Sequence, residues 1–121
     1  VKLNYNDEFE VYSYSNNSIN MSLKEYLIHV INLNVGEIFV SSVDREGTWE
    51  GYNQKLFTYV NKLVNVPIIA NGGCGSTSDL KSILYETGVQ AAAIGSMAVF
   101  QKKNMGVLIR FPKRKEIIKD E

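Results

Sequence analysis

The stretch PIIANGGCGS at residues 67–76 decides the fold of this chain, because a short apolar strand runs directly into a pair of glycines. A similar stretch, AAIGS at residues 92–96, follows about one strand-and-helix unit later. Backbone N–H groups with no side chain in the way, at the ends of two neighbouring strands, are suited to hold a phosphate. The sequence therefore predicts an anion site at these two strand ends.

The segments around this stretch alternate between strand and helix patterns. Ser22 and Glu25 form a capping box, Ser76 and Asp79 mark a second helix start, and Gly36 and Gly88 are expected to end helices. The predicted strands are residues 37–42, 68–71 and 90–94, and the predicted helices are residues 22–34, 56–64 and 76–87. Such alternation is typical of right-handed βαβ units with a parallel sheet, and thus of an α/β fold.

Two further strands are predicted near the beginning of the sequence, at residues 1–5 and 9–14, joined by a polar turn as a small β-hairpin. The sequence begins with Val1 inside a strand pattern, so we expect the chain to be part of a longer protein. A parallel sheet hides both faces and leaves no hydrophobic edge open. The strand at residues 1–5 and the three strands at residues 37–42, 68–71 and 90–94 can therefore form a small open sheet or half of an eight-stranded barrel.

The positions of the polar residues favour the half-barrel. Ser41 lies at the end of one predicted strand and Asp44 and Glu46 follow it. Asn71 ends the next predicted strand, and Gly95 follows the last one. In a (βα)8 barrel the chemistry takes place at this rim, and phosphate is often held by the loops after the seventh and eighth strands.

Three ordered motifs carry a family resemblance: GEIFVSSVDREGTWEGYN, VPIIANGGCGS and AAAIGSMAVF. In this order and spacing they resemble the second half of the cyclase subunit of imidazole glycerol phosphate synthase (HisF), a (βα)8 TIM barrel. The resemblance is strong over residues 35–100 and looser over residues 1–34. It implies a single partial domain, residues 1–121, containing strands five to eight of the barrel and a divergent tail at residues 101–121. In the family a long amphipathic helix usually ends the barrel, whereas residues 106–111 here predict an extended segment that Pro112 interrupts.

The resemblance also implies roles for individual residues. Glu37, at the opposite end of its strand, matches a charged gate for ammonia. No catalytic residue is expected in this chain, because one family aspartate lies on the first strand and the fifth-strand aspartate would fall just before Val1. The implied substrate-binding residues are Ser41, Asp44, Glu46 and Gly47, and the implied phosphate-binding residues are Asn71, Gly72, Gly73, Gly95 and Ser96.

Three functions follow from the resemblance. The first is a synthase subunit that uses ammonia from a HisH-like glutaminase on a phosphorylated ribulosyl intermediate in histidine biosynthesis, without a cofactor. The second is a paralogue that delivers ammonia for amidation of a nucleotide-linked or surface-polysaccharide sugar, favoured by the unusual tail, by Cys74 and by NNSIN in place of a family loop at residues 16–20. The third is an inactive anion-binding half-barrel that pairs with an N-terminal half-barrel or with itself.

The composition of the chain limits the kinds of partner that it is expected to bind. The chain has thirteen basic and thirteen acidic residues, but residues 1–100 carry a net charge of −4 and residues 101–121 one of +4. The basic tail is interrupted by acidic residues, so a solvated tail is favoured over nucleic-acid binding. The single cysteine fits a reducing cytoplasm, no apolar run has the length of a membrane span, and no metal-ligand spacing is present.

Several side chains also have purely structural interpretations. Asp44 could bind substrate or simply brace its loop, and Trp49 and Tyr52 could cover substrate or pack the loop. Cys74 is expected to be a packed residue rather than a nucleophile, and His29 to be a surface residue.

Overall fold

The computed structural model describes residues 1–4, 6–15 and 21–118 of the chain. The replaced family loop at residues 16–20 lies outside the described residues. Strand and helix alternate from β3 to α4, which confirms the predicted α/β class. The elements are β1 (Lys2–Leu3), β2 (Phe9–Glu10), α1 (Leu23–Asn32), β3 (Ile38–Ser41), α2 (Gln54–Leu63), β4 (Ile68–Asn71), α3 (Thr77–Glu86), β5 (Ala91–Ala92), α4 (Ser96–Val99) and α5 (Arg114–Ile117).

Strands β3, β4 and β5 form a three-stranded parallel sheet with β4 in the centre. The register between β3 and β4 places Ser41 beside Asn71, at the carboxyl end of both strands. On the other side, Ala70 of β4 pairs with Ala92 of β5. β5 is shorter than the predicted strand at residues 90–94, although the N–H of Ala93 still donates to the carbonyl of Ala70 at 2.8 Å.

β1 and β2 form the predicted antiparallel hairpin, but each contains only two residues. Lys2 pairs with Glu10, and the expected continuation to Val1 is missing because Val1 bonds to β3 instead. Its amino group donates to the carbonyl of Ser41 at 2.6 Å, and the N–H of Val43 donates to the carbonyl of Val1 at 2.8 Å. This alternation is that of a parallel ladder. Val1 therefore stands where a fourth parallel strand would lie.

The predicted starts of α1 and α3 are confirmed by their caps, whereas α2 begins at Gln54 rather than at residue 56. In α1 the N–H of Glu25 donates to Ser22 Oγ at 3.2 Å, and the N–H of Ser22 donates to the Glu25 carboxylate at 3.3 Å. In α3 the N–H of Asp79 donates to Ser76 Oγ at 3.1 Å. Among the described helices, none is long and apolar enough to cross a bilayer.

The end of α1 differs from the prediction. The helix stops at Asn32, before Gly36, and Asn34, with φ of 56°, takes the left-handed conformation after it. Asparagine visits this region because its short polar side chain can hydrogen-bond locally. After α3 the prediction is confirmed, since Gly88 has φ of 79°.

The two faces of the parallel sheet have different surroundings. One face packs into the core against the apolar sides of the helices. On the opposite face Phe39, in the middle of β3, is 57% exposed. The core cluster includes Leu23 and Leu27 of α1, Val40 of β3, Leu56, Phe57 and Val60 of α2, Ile68 and Ala70 of β4, and Leu80 and Ile83 of α3.

After α4 the chain turns back on itself. Phe100 pairs antiparallel with Val107, and the N–H of Gln101 donates to the carbonyl of Gly106 at 3.0 Å. We call residues 100–107 the tail hairpin. The chain then runs beside α4 without helix, as predicted for residues 106–111, with bonds from Leu108 to Val99 and from Arg110 to Ala98, each 2.9 Å. Beyond Pro112 the short helix α5 packs against α3.

Candidate functional site

The loops that follow β3, β4 and β5 meet in a narrow cleft at the carboxyl end of the sheet. Its volume of about 10 Å³ is close to what one water molecule occupies. The cleft therefore admits the oxygen atoms of an anion rather than a whole metabolite. Its lining residues are Glu46, Gly47, Trp49, Asn71, Gly72, Gly73, Cys74, Ala93, Gly95 and Ser96.

This geometry brings together seven of the ten residues named from the sequence. Ser41 belongs to the same group through a hydrogen bond described below. Asp44 and Glu37 are not among the cleft-lining residues. The seven are Glu46, Gly47, Asn71, Gly72, Gly73, Gly95 and Ser96.

Gly72 and Gly73 allow two loops to approach each other closely. Their φ angles are 104° and 99°, values that side chains with L chirality rarely adopt. A Cβ on Gly72 would lie 2.7 Å from the carbonyl oxygen of Ser42, and one on Gly73 would collide with the carbonyl of Gly51. The N–H of Gly51 donates to the carbonyl of Gly73 at 2.8 Å, so the loops after β3 and β4 touch backbone to backbone.

Gly95 differs from this pair because a Cβ added there would meet nothing within 4 Å. Packing therefore gives no reason for a glycine at this position, at the start of α4. In the described parts of the chain, no acceptor is found for the backbone N–H groups of Gly72, Gly73 and Gly95. Gly72 and Gly73 are buried, and buried N–H groups normally have a partner. These donors make the cleft attractive to an anion.

Asn71 connects the carboxyl ends of β3 and β4 to the loop after β3. Its Nδ2 donates to Ser41 Oγ at 2.8 Å and to Glu46 Oε2 at 2.9 Å. Because both amide hydrogens are used in this way, the Asn71 amide can offer only its oxygen to a ligand. The three side chains form one polar network beside the cleft.

Asp44 is exposed, and its Oδ2 accepts a hydrogen bond from the N–H of Leu3 at 2.7 Å. This contact connects the loop after β3 to the N-terminal hairpin. It is the contact expected if Asp44 braces its loop. Glu37 is exposed and directly precedes β3, at the end of the sheet opposite to the cleft.

Tyr52 has a structural role that the sequence did not reveal. It is 7% exposed, and its hydroxyl donates to the carbonyl of Ala93 at 2.7 Å, which links the loop after β3 to the end of β5. Burial raises the pKa of Tyr52, so the hydroxyl stays protonated and keeps this bond at neutral pH. A contact between residues 41 positions apart leaves no local sequence signal.

Cys74 is a buried free thiol whose Sγ lies 3.5 Å from the carbonyl oxygen of Ser76 and 3.4 Å from Met97 Sδ. Burial raises the pKa of Cys74, which disfavours the thiolate needed for nucleophilic attack. The packed interpretation of this residue is therefore supported. His29 is exposed in the last turn of α1.

Trp49 is the aromatic residue that reaches the cleft. It is half-buried and has φ of 65°, which is unusual for a bulky residue. Trp49 lines the cleft and two neighbouring pockets. Within residues 1–4, 6–15 and 21–118, no group of three or more His, Cys, Asp and Glu side chains could hold a metal ion.

The chain is similar to known proteins over most of its length. Residues 2–104 match the model of a family described as histidine biosynthesis protein. A Leptospira interrogans protein, provisionally named as the HisF subunit of imidazole glycerol phosphate synthase, is 34% identical over 79% of this chain and 38% of its own length. A provisionally named subunit of the same synthase from Pseudomonas aeruginosa is 45% identical over 64% of this chain and 31% of its own.

A third relative, from Lactococcus lactis subsp. cremoris, is named imidazole glycerol phosphate synthase subunit HisF. It is 37% identical over 74% of this chain and 35% of its own length. The chain thus spans less than two fifths of the length of each of these relatives.

Proposed function

Because the chain belongs to the histidine biosynthesis protein family, we propose that its cleft binds the phosphate group of a small phosphorylated metabolite. The observation that carries this proposal is the set of backbone N–H groups without acceptors at the ends of two adjacent parallel strands. Glycine leaves these donors accessible, and their partial positive charge suits a dianion. Asn71, Gly72, Gly73, Gly95 and Ser96 would surround the phosphate, with Ser41, Glu46 and Gly47 nearer to the rest of the substrate.

We further propose that the sheet is one half of a (βα)8 barrel, with Val1 and β3 to β5 in the positions of strands five to eight. Two observations support this arrangement. Val1 continues the parallel ladder beyond β3, and the face that carries Phe39 is open although parallel sheets are normally covered on both sides. The other half of the barrel, or a second copy of the chain, would cover that face. In this proposal residues 1–121 are one partial domain.

The reaction proposed for the whole protein is that of the cyclase subunit of imidazole glycerol phosphate synthase, acting in the cytoplasm on ammonia from a HisH-like glutaminase. Glu37 supports this proposal by its place at the floor of the sheet, opposite to the cleft, where ammonia would enter. The acid and base of this chemistry would be two aspartates on strands one and five. The chain by itself is then expected to bind phosphate without catalysing cyclisation.

Calorimetric titration with inorganic phosphate tests the proposed site. In Ser96→Asp a carboxylate enters the cleft at the first residue of α4, so repulsion should weaken phosphate binding at least about tenfold. Ser78→Asp is the matched control, because Ser78 lies in the first turn of α3, is exposed, and does not line the cleft. Equal phosphate affinity in the two variants would contradict the proposed site.

A second function is supported by the tail. The tail hairpin and α5 stand where the resemblance implies a long amphipathic helix. A paralogue that delivers ammonia for amidation of a nucleotide-linked or surface-polysaccharide sugar would use the same phosphate cleft with a different outer wall. Turnover of the histidine-pathway intermediate by the whole protein with its glutaminase would favour the first function, and its absence with preserved phosphate binding would favour the second.

A further inference from the structure

The segment that leaves the tail hairpin is an exposed run of apolar residues. Residues 107–111 have the sequence VLIRF and are exposed throughout. The exposed fractions are 67% for Val107, 53% for Leu108, 68% for Ile109 and 70% for Phe111. A single exposed apolar side chain is ordinary, but a contiguous group of them marks an interaction surface. We call residues 107–111 the tail edge.

One side of the tail-edge backbone is bonded and the other side is open. The N–H groups of Leu108 and Arg110 each donate to a carbonyl of α4 at 2.9 Å. Because successive N–H groups of an extended chain point to opposite sides, those of Val107, Ile109 and Phe111 face away from α4. Among the described residues, no acceptor is found for these three N–H groups. An open strand edge of this kind is a template for pairing with another extended segment.

Positive charge flanks the tail edge on both sides. The flanking cations are Lys102 and Lys103 before it, and Lys113, Arg114 and Lys115 after it. All of them are exposed, and none forms an ion pair within the described part of the chain. A second copy of the chain would bring the same cations to this surface and be repelled, whereas an acidic segment would be attracted.

We propose that the tail edge binds an extended acidic segment of a partner polypeptide, which pairs with it as an additional β-strand. The partner backbone would bond to the open N–H and carbonyl groups of Val107 and Ile109, and carboxylates at its two ends would face the flanking cations. A lipid bilayer would accept the apolar side chains but would leave these backbone groups without partners. No residue of the tail edge lines the phosphate cleft, so the two sites are tested separately.

Fluorescence anisotropy with two synthetic peptides tests this inference on the wild-type chain. Both peptides alternate valine and threonine in the middle. The acidic peptide has two glutamates at each end, and the lysine peptide has two lysines at each end instead. The acidic peptide should bind at least about tenfold more tightly, and the difference should shrink as the salt concentration rises.

A pair of substitutions at Ile109 separates backbone pairing from charge attraction. Ile109→Ala removes the apolar side chain and keeps the N–H, whereas Ile109→Pro also removes the N–H, which has no acceptor within the described chain. Loss of this backbone bond should make the acidic peptide bind about fivefold more weakly to Ile109→Pro than to Ile109→Ala. Ile28→Ala, which removes an exposed side chain from α1, is the matched control and should bind the peptide as the wild type does.

Three results would overturn the inference. The first is equal binding of the two peptides, or equal binding of the acidic peptide to Ile109→Ala and Ile109→Pro. The second is binding of anionic phospholipid vesicles without binding of the acidic peptide, which would assign the tail edge to a membrane surface. The third is self-association in sedimentation velocity that Ile109→Pro removes, without peptide binding, which would assign the tail edge to a second copy of the chain.

Discussion

Replacing Gly73 with alanine should destabilise the chain by about 3 kcal/mol, with two physical causes. The first is conformational: at φ of 99° an alanine is strained, which costs on the order of 1–2 kcal/mol. The second is steric, because the new Cβ would collide with the carbonyl of Gly51 and lie 3.0 Å from Arg45 Cβ.

The loops after β3 and β4 would then have to separate. This movement would stretch the bond from the Gly51 N–H to the Gly73 carbonyl, which adds about 1 kcal/mol. For a chain of 121 residues, a loss of this size lowers the melting temperature by about 10 °C. Gly36→Ala is the matched control, because Gly36 has no positive φ and a Cβ there meets nothing within 4 Å. Its free energy of unfolding should change by less than about 1 kcal/mol.

Urea denaturation followed by circular dichroism measures both variants. The m-value should stay constant, so that the midpoint reports stability alone. If Gly73→Ala and Gly36→Ala lose the same amount of stability, the two loops are not held together by backbone contact at Gly73. The structural explanation of the glycine pair would then be wrong, whatever the cleft binds.

Three further predictions concern other parts of the chain. Tyr52→Phe leaves the carbonyl of Ala93 without its donor and should cost about 1–3 kcal/mol in urea denaturation. Because burial raises the pKa of Tyr52, the stability that its hydroxyl contributes is complete below pH of about 10 and is lost as the pH rises further. The wild type should therefore lose more stability than Tyr52→Phe at alkaline pH, and parallel pH profiles would refute this. Phe39→Glu should reduce self-association in sedimentation velocity, because Phe39 is 57% exposed on the open face of the sheet. It should lower the free energy of unfolding by no more than about 0.5 kcal/mol. Unchanged association would show that two copies of the chain do not contact each other through this face. Ser22→Ala removes the acceptor for the Glu25 N–H and should cost about 1 kcal/mol, whereas Lys24→Ala, exposed in the same turn, is expected to have little effect in the same denaturation assay.

The parts of the fold that the sequence predicted well are those fixed by neighbouring residues. The α1 and α3 starts depend on hydrogen bonds between residues three apart, from Glu25 to Ser22 and from Asp79 to Ser76, so the cap residues reveal them. β4 begins just after Pro67 and ends before Gly72, and its predicted and observed bounds agree. Both signals are local.

The errors arise where distant segments compete for the backbone. The hairpin pairing ends at Lys2 and Glu10, where both strands bond to other segments: Val1 bonds to β3, and the N–H of Val11 donates to the carbonyl of Met21. The local sequence pattern does not contain these distant contacts. α1 ends before Gly36, with Asn34 in the left-handed conformation, because asparagine also tolerates this conformation and the local sequence does not show which of the two residues ends the helix.

In the candidate site, too, the sequence predicted the local features but not the contacts between distant segments. Glycines after two predicted strands, the pair Gly72 and Gly73 and the single Gly95, were enough to expect that their loops would meet, since the carboxyl ends of parallel strands share one edge of a sheet. The contact from Tyr52 to Ala93 and the position of Trp49 between three pockets depend on loop conformations that the residues alone do not specify. The functions of these residues remain predictions for the experiments above.

The tail hairpin has a consequence for how such a protein can diversify. Its turn is fastened at both ends by main-chain bonds, from Gln101 to Gly106 and from Leu108 to Val99, which do not depend on side-chain identity. Lys102, Lys103 and Met105 can therefore be exchanged with little disturbance of the parallel sheet, whereas Asn104, with φ of 61°, favours asparagine or glycine. Evolution or design can change the surface beside the cleft while the strands and loops that form the cleft stay the same.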